Sequence, residues 1–348
     1  MPDSADMAAF IAGLPKAELH LHLQGGASVE TILGLARRHP HEGIPTDEAE
    51  LRRFYEFTDF THFLEVYAAV NRLVKTADDV EALIVGLGRD LAAVKVRYAE
   101  VTVTADSHLK AGIDPSELAL ALKRGRAEVR ATRGIELAYI YDINGADRLD
   151  GAERTIAWAE KHLPDGSVGF GLGGPELHVT RPQYAPYFLR ARAIGLHSVP
   201  HAGETTGPQT IRDSIDHLGA ERIGHGIAAA SDPALMSVLV ERSIPLEICP
   251  TSNVCTHAVP NYAEHPFPIL REAGVRLTLN TDDPGMFDTD LNREYIVAHE
   301  HFGLDRSDLV DIARETIRAS FATPSLRDRV LAEIADYAAH ANDVGDSR

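Results

Sequence analysis

AELHLHL, residues 17–23, is the stretch on which the fold turns. Written as a β-strand its side chains alternate, so His20 and His22 face one way while Leu19, Leu21 and Leu23 face the other. That geometry aims two imidazole nitrogens at one point. Two core histidines satisfied by backbone carbonyls would leave the same trace, so the pair alone does not decide its chemistry.

Seven further short apolar or β-branched runs follow it. They are VRYAEVTVT (96–104), IELAYIYDI (135–143), SVGFGL (167–172), LHSVPHA (196–202), RIGHG (222–226), IPLEIC (244–249) and VRLTLNT (275–281). Helix-length patterns such as PSELALALKRGRAEVRATR, AERTIAWAEKHL, QTIRDSIDHLG and DPALMSVLVERS lie between most of them. Alternation of strand and helix implies a parallel sheet, and eight repeats are the number that closes a (β/α)8 TIM-type barrel.

The connection after the first strand, about 27–95, is long and predicts a helical, lid-like insertion over the barrel mouth. Within its aromatic piece, residues 54–67, Phe57, Phe60, Phe63 and Leu64 also fit ordinary core packing. Two helical patterns, RSDLVDIARETIRASF and SLRDRVLAEIADYAAHA, end the chain. With no low-complexity linker and no internal repeat, residues 1–348 read as one domain.

The chain has 348 residues, enough for one barrel with insertions or for two smaller domains. With 34 Lys and Arg against 52 Asp and Glu, its formal charge of −18 repels nucleic acid and anionic membrane surfaces. Cys249 and Cys255 are too few for a disulfide framework and form no CxxC pair. The N-terminus lacks a basic lead, and no run approaches the ~20 apolar residues of a membrane span. We therefore expect a soluble cytoplasmic protein; the sequence assigns no oligomeric state.

Chemistry in such a barrel sits at the C-terminal ends of the strands. There strand one carries His20 and His22, strand five runs into HAGE with His201 and Glu204, strand six holds His225, and strand eight ends in Asp282 and Asp283. Independently satisfied core histidines have no reason to share one rim. His20, His22, His201 and Asp282 form a donor set suited to one Zn2+ with a coordinated water. Asp283 becomes its non-ligating neighbour, and Glu204 and His225 remain as proton carriers. A structural role for His225 and a solvated loop position for Glu204 are the plainer alternatives.

PKAELHLHLQGG, HAGE, RIGHG, EICPTSN and LNTDDPGMF match, in order, the motifs of the adenosine deaminase family of the amidohydrolase superfamily, which the chain resembles from about residue 14 to 322. The resemblance implies zinc at His20, His22, His201 and Asp282 and hydrolytic loss of ammonia from C6 of a 6-aminopurine nucleoside. His225 would accept or orient the water's proton. A protonated Glu204 would serve ring N1, Asp283 would face N7, and the Gly174 backbone N–H would meet N3. Two positions depart from the pattern. Gly171 stands where an acid is usual. Gln24 replaces the Asp that typical members use near the ribose 5′-hydroxyl, which implies a changed 5′ end of the substrate. FGLGGPE, HAGETTGPQT and FTDFTHFLEVY are similar to an actinobacterial subgroup acting on aminodeoxyfutalosine, an intermediate of the futalosine route to menaquinone.

Other readings meet specific obstacles. Gly169, Gly171 and Gly174 spell GxGxxG, but Pro175 interrupts the start of any following helix and no acid lies between Leu177 and Gly203 to bind a ribose. Glu176, beside this glycine run, is placed as in nucleoside deaminases and also fits a structural or helix-start role. A binuclear amidohydrolase needs a lysine on strand four, and SVGFGLGG has none. H-x-E with P-C-x-x-C, and HExxH, are both absent. An adenine deaminase and a non-catalytic purine-binding protein stay open as alternatives.

Overall fold

The computed structural model describes residues 4–345. Eight parallel strands run in chain order around one sheet: β1 (Lys16–His22), β2 (Val96–Val103), β3 (Glu136–Asn144), β4 (Ser167–Gly173), β5 (His197–Ala202), β6 (Ile223–His225), β7 (Leu246–Ile248) and β8 (Leu277–Leu279). The seam between β8 and β1 closes through the backbone. Asp282 N–H donates to His20 O at 3.0 Å and His22 N–H to Asp282 O at 2.9 Å. The alternation read from the sequence therefore yields the expected barrel, with each strand within about two residues of its predicted ends.

Helices cover the strands, and their ends follow local chemistry. The helix Pro115–Arg133 starts on Asp114, whose carboxylate accepts from the N–H groups of Ser116 and Glu117, and stops at Gly134 in the left-handed region. The insertion after β1 forms four helices, Val29–Arg38, Glu48–Phe54, Phe60–Asn71 and Ala77–Ala93. The last opens on a Thr76–Asp79 capping box and buries Val80, Leu83, Ile84, Leu87 and Leu91. The pattern at 209–219 is not one regular helix. It begins as the helix Pro208–Asp213, widens into a π-turn at Ser214–Leu218 and ends at Gly219, φ 64°. The chain closes with Leu291–Phe302, Arg306–Ala319 and Pro324–Gly345. Among the described residues no helix is long and apolar enough to cross a membrane.

Inside the barrel the core is not wholly apolar. Arg222 lies between two carboxylates, donating from Nε to Glu247 Oε1 at 2.5 Å and from a terminal nitrogen to Glu100, and gives its other terminal nitrogen to Ala319 O. All three side chains are buried. Glu100 also accepts from the Tyr98 hydroxyl and the Phe321 N–H. Such a cluster holds only because every charge in it is paired and hydrogen-bonded.

Candidate active site

The strand ends meet at one rim. His20 and His22 from β1, His201 from β5 and Asp282 after β8 present ligand atoms that all lie within 4.8 Å of one another, each buried. His22 Nε2 is 3.1 Å from His201 Nε2 and 3.2 Å from Asp282 Oδ1, and His20 Nε2 is 3.3 Å from the same oxygen. Glu247 accepts from His20 Nδ1 at 2.8 Å, so His20 carries its proton there and turns a bare Nε2 inward. That nitrogen has no hydrogen-bond partner among the described residues. Lone pairs from three imidazoles and a carboxylate converging on one dry point repel one another unless a cation lies between them, so the quartet fits a metal ion.

Backbone geometry supports the convergence. Asp282 and His225 adopt left-handed φ of 66° and 59°, conformations that non-glycine residues rarely hold outside sites that require them. Gly224 must be a glycine, because a Cβ there would stand 2.7 Å from His20 Cε1. Gly25 lies so close to Asp283 that a Cβ would overlap the carboxylate, which explains the residue after Gln24.

Glu204, His225 and Asp283 line the same cavity as His22, His201 and Asp282. His225 Nε2 is 3.6 Å from Glu204 Oε2 and 3.8 Å from Asp282 Oδ2, while the Asn253 amide donates to its Nδ1 at 3.2 Å. Burial pushes His225 down to about 3, so it is neutral. Burial, reinforced by the Asp282 charge, raises Glu204 and Asp283 well above the ordinary carboxylate range. Asp282 goes the other way. The imidazoles of His20 and His22 beside it hold it well below the ordinary carboxylate range despite its burial, and Ser252 Oγ donates to Oδ2 at 2.6 Å.

Glu176 takes the structural alternative read for it. Its carboxylate accepts from the backbone N–H groups of Gly203, Glu204, Thr205 and Thr206 and from Arg181, clamping the loop that carries Glu204. Gly174, φ 76°, lines the cavity. Gln24 does not. It is buried beside His108, its Nε2 3.1 Å from His108 Nε2, because burial lowers that imidazole to about 4 and leaves a neutral acceptor for the amide. Its Oε1 has no partner among the described residues, and its expected place at the substrate's 5′ end rests on the resemblance alone.

Three wall residues were missed, Thr104, Asp142 and Asn144 at the ends of β2 and β3, and Phe60, Phe63, Leu64 and Tyr67 of the insertion line the same cavity. A carboxylate closing the apolar run IELAYIYDI was a readable signal, by the same reasoning that found His201. The aromatic residues belong to the insertion expected over the barrel mouth, although their spacing matches core packing equally well. Gly171 pairs in register with Asp142, so β3 supplies a carboxylate at a level where β4 has none. A larger cleft of about 590 Å3 lies elsewhere, lined by Glu18, Arg37, Arg52 and Asp290, and holds none of the rim residues.

The adenosine deaminase family model matches residues 15–337. An aminodeoxyfutalosine deaminase of Streptomyces coelicolor is 49% identical over 336 residues, covering 96% of this chain and 87% of that protein. The crystal structure of an adenine deaminase from Arthrobacter aurescens superposes with a TM-score of 0.89 at 29% identity, covering 93% of this chain and 99% of that one. An amidohydrolase structure from Burkhoderia ambifaria with bound Zn gives 0.89 at 25% identity, covering 100% and 96%.

Proposed function

The chain belongs to the adenosine deaminase family and is a hydrolytic deaminase, and on that premise we propose that it releases ammonia from C6 of a 6-aminopurine nucleoside with an extended 5′ substituent, aminodeoxyfutalosine being the first candidate. The similarity to the Streptomyces coelicolor enzyme supports that substrate and a place in menaquinone formation. The unpaired thiols of Cys249 and Cys255 suit a reducing cytoplasm.

His20, His22, His201 and Asp282 would hold one zinc ion, whose chemistry when bound is to bring a water's pKa toward ~7. The protein's own groups supply the rest. Glu204, kept as a neutral acid by burial, gives a hydrogen bond or proton to ring N1 and so makes C6 electrophilic. His225, held from behind by Asn253, presents Nε2 to the oxygen that attacks C6. Asp283 faces N7, and the Gly174 N–H meets N3. The amino group takes up a proton from the attacking water and leaves as ammonia as the tetrahedral carbon collapses to the 6-oxopurine.

The observation that carries this reading is the meeting, in one cavity, of the His/Asp quartet with an acid, Glu204, 3.6 Å from a neutral imidazole. The test is kcat/KM for ammonia release from aminodeoxyfutalosine, 5′-methylthioadenosine, adenosine and adenine by zinc-loaded protein. A preference for the first by orders of magnitude is expected, and a preference for adenosine would return the chain to purine salvage. Free adenine is the second reading, favoured by the Arthrobacter aurescens neighbour; turnover of adenine above every nucleoside would establish it.

A further inference from the structure

An imidazole that gives one nitrogen's lone pair to a metal keeps its proton on the other, and a buried N–H needs an acceptor. Glu247 meets that need for His20. His201 turns Nε2 to the quartet, 3.1 Å from His22 Nε2, and its Nδ1 is buried with no partner among the described residues. The strand next to it offers none. His201 lies on β5, and β4 carries glycine at 169, 171 and 173, the alternate positions of one face.

A carboxylate reaches it from one strand further away. Asp142 of β3 pairs in register with Gly171. A Cβ on Gly173 would stand 2.9 Å from Asp142 Oδ2, 3.4 Å from His201 Cε1 and 3.5 Å from His201 Nδ1, so the two side chains face each other over a bare Cα. A Cβ on Gly171 would stand 3.3 Å from Asp142 Cβ and 2.9 Å from Val199 O, so β4 has no room for a side chain of its own beside Asp142. Thr104 aims the carboxylate. Its hydroxyl donates to Asp142 Oδ1 at 2.6 Å, and no hydrogen bond from another described residue reaches Oδ2. Asp142 is only 4% exposed and has no Lys or Arg bonded to it, so its free oxygen is costly unless a donor meets it. An acceptor and a donor, each buried and each short of a partner, thus lie on the two sides of one glycine.

We propose that Asp142 is the positioning residue of His201: Oδ2 accepts from Nδ1–H when Nε2 is engaged by the metal, fixing the tautomer and the plane of the ring. The support for a β5 ligand is then supplied by β3, across a strand of glycines. This inference rests on the metal reading of the quartet and is independent of which purine is the substrate. Asp142 moves no proton of the reaction; it acts through His201.

The test measures zinc affinity by chelator competition in wild type, Asp142→Asn and Asp142→Leu, with thermal unfolding of each metal-free chain as the control for folding, and follows the His201 ring by imidazole NMR. Asp142→Leu should bind zinc about 10–100-fold more weakly, the usual loss when the partner of a ligating histidine is removed. Asp142→Asn keeps an oxygen for Nδ1–H, since the Thr104 hydroxyl can accept from its amide, and should recover zinc affinity to within about 5-fold of wild type. In zinc-loaded wild type the His201 Nδ1–H proton should give a downfield, slowly exchanging signal that moves upfield in Asp142→Asn, where the acceptor is uncharged, and is lost in Asp142→Leu. Wild-type zinc affinity in a folded Asp142→Leu, or a His201 signal indifferent to Asp142→Asn, would overturn the assignment. The Asn variant preserves shape, so the second result decides the matter even where the Leu variant does not fold. A wild-type chain that binds no zinc would overturn the quartet and this inference with it, whereas tight zinc in wild type beside either of those results would overturn this inference alone.

Discussion

Two groups of buried carboxylates share the barrel and behave in opposite ways. At the rim Glu204 and Asp283 have no Arg or Lys beside them, and burial raises both well above the ordinary range. Lower in the barrel the Arg222 charge and the His20 hydrogen bond outweigh burial and hold Glu247 below it. One residue type is thus kept neutral where it is left alone and held as a fixed charge where it is clamped. The lower group supports the upper one, since Glu247 sets the tautomer of His20.

The comparison can be broken most severely at the rim. Glu204→Gln should keep full zinc and lose roughly 10^3-fold or more of kcat, because the amide cannot supply a proton; normal turnover would remove the proton-donor role. His20→Ala should lose both zinc and activity, and stoichiometric zinc in that variant would undo the ligand assignment. Next comes the base. Arg222→Met leaves two buried carboxylates without their cation and should cost about 3–5 kcal/mol in denaturant unfolding, with zinc affinity about 10–100-fold weaker. Unchanged zinc affinity in a folded Arg222→Met would separate the two groups that the geometry links. Asp283→Asn should be milder, about 10–100-fold in kcat with zinc retained, since it alters an orienting contact and not the proton source.

A third kind of buried carboxylate sharpens the contrast with the smallest effect. Burial takes Glu18 and Glu294 to about 7, although Thr281 donates from N–H and hydroxyl to the first, and Thr251 and Thr289 to the second. Their folded values lie above their unfolded ones, so between pH ~4.5 and ~7 the unfolded chain holds fewer protons. Stability from these two groups is therefore complete below pH ~4.5 and is lost as pH rises to ~7. Thermal unfolding should show Tm falling by a few degrees across that window, with a shallower slope in Glu18→Gln. An identical slope would mean Glu18 is already ionised when buried.

The rim was legible because its chemistry interrupts apolar strands. His20, His22, His201, His225 and Asp282 are each anomalous where they stand, and the strand period says which way they face. The helix 115–133 was legible for a local reason, an Asp–Pro start and a Gly stop. What stayed hidden depends on partners distant in sequence. Glu176 gives no hint that it holds the N–H groups of 203–206, and Gln24 gives none that His108 is waiting for it. Asp142 had a signal, a charge closing a buried strand, but its role needs the glycines of β4 to be seen beside it. Phe60 and Phe63 look like core residues because they also are; Phe63 packs on Phe57 and Phe287 while lining the cavity.

The seam between β8 and β1 has a consequence for synthesis. The first two members of the quartet leave the ribosome early on β1, and the last, Asp282, comes only after the eighth strand. The backbone bonds that set it beside them cannot form until the barrel closes. A nascent chain therefore carries two of the four until His201 is made and three until Asp282, and should capture metal weakly throughout. Tight zinc uptake then reports that the chain is complete and its ends have met, so a stalled or truncated product would betray itself by its empty hands.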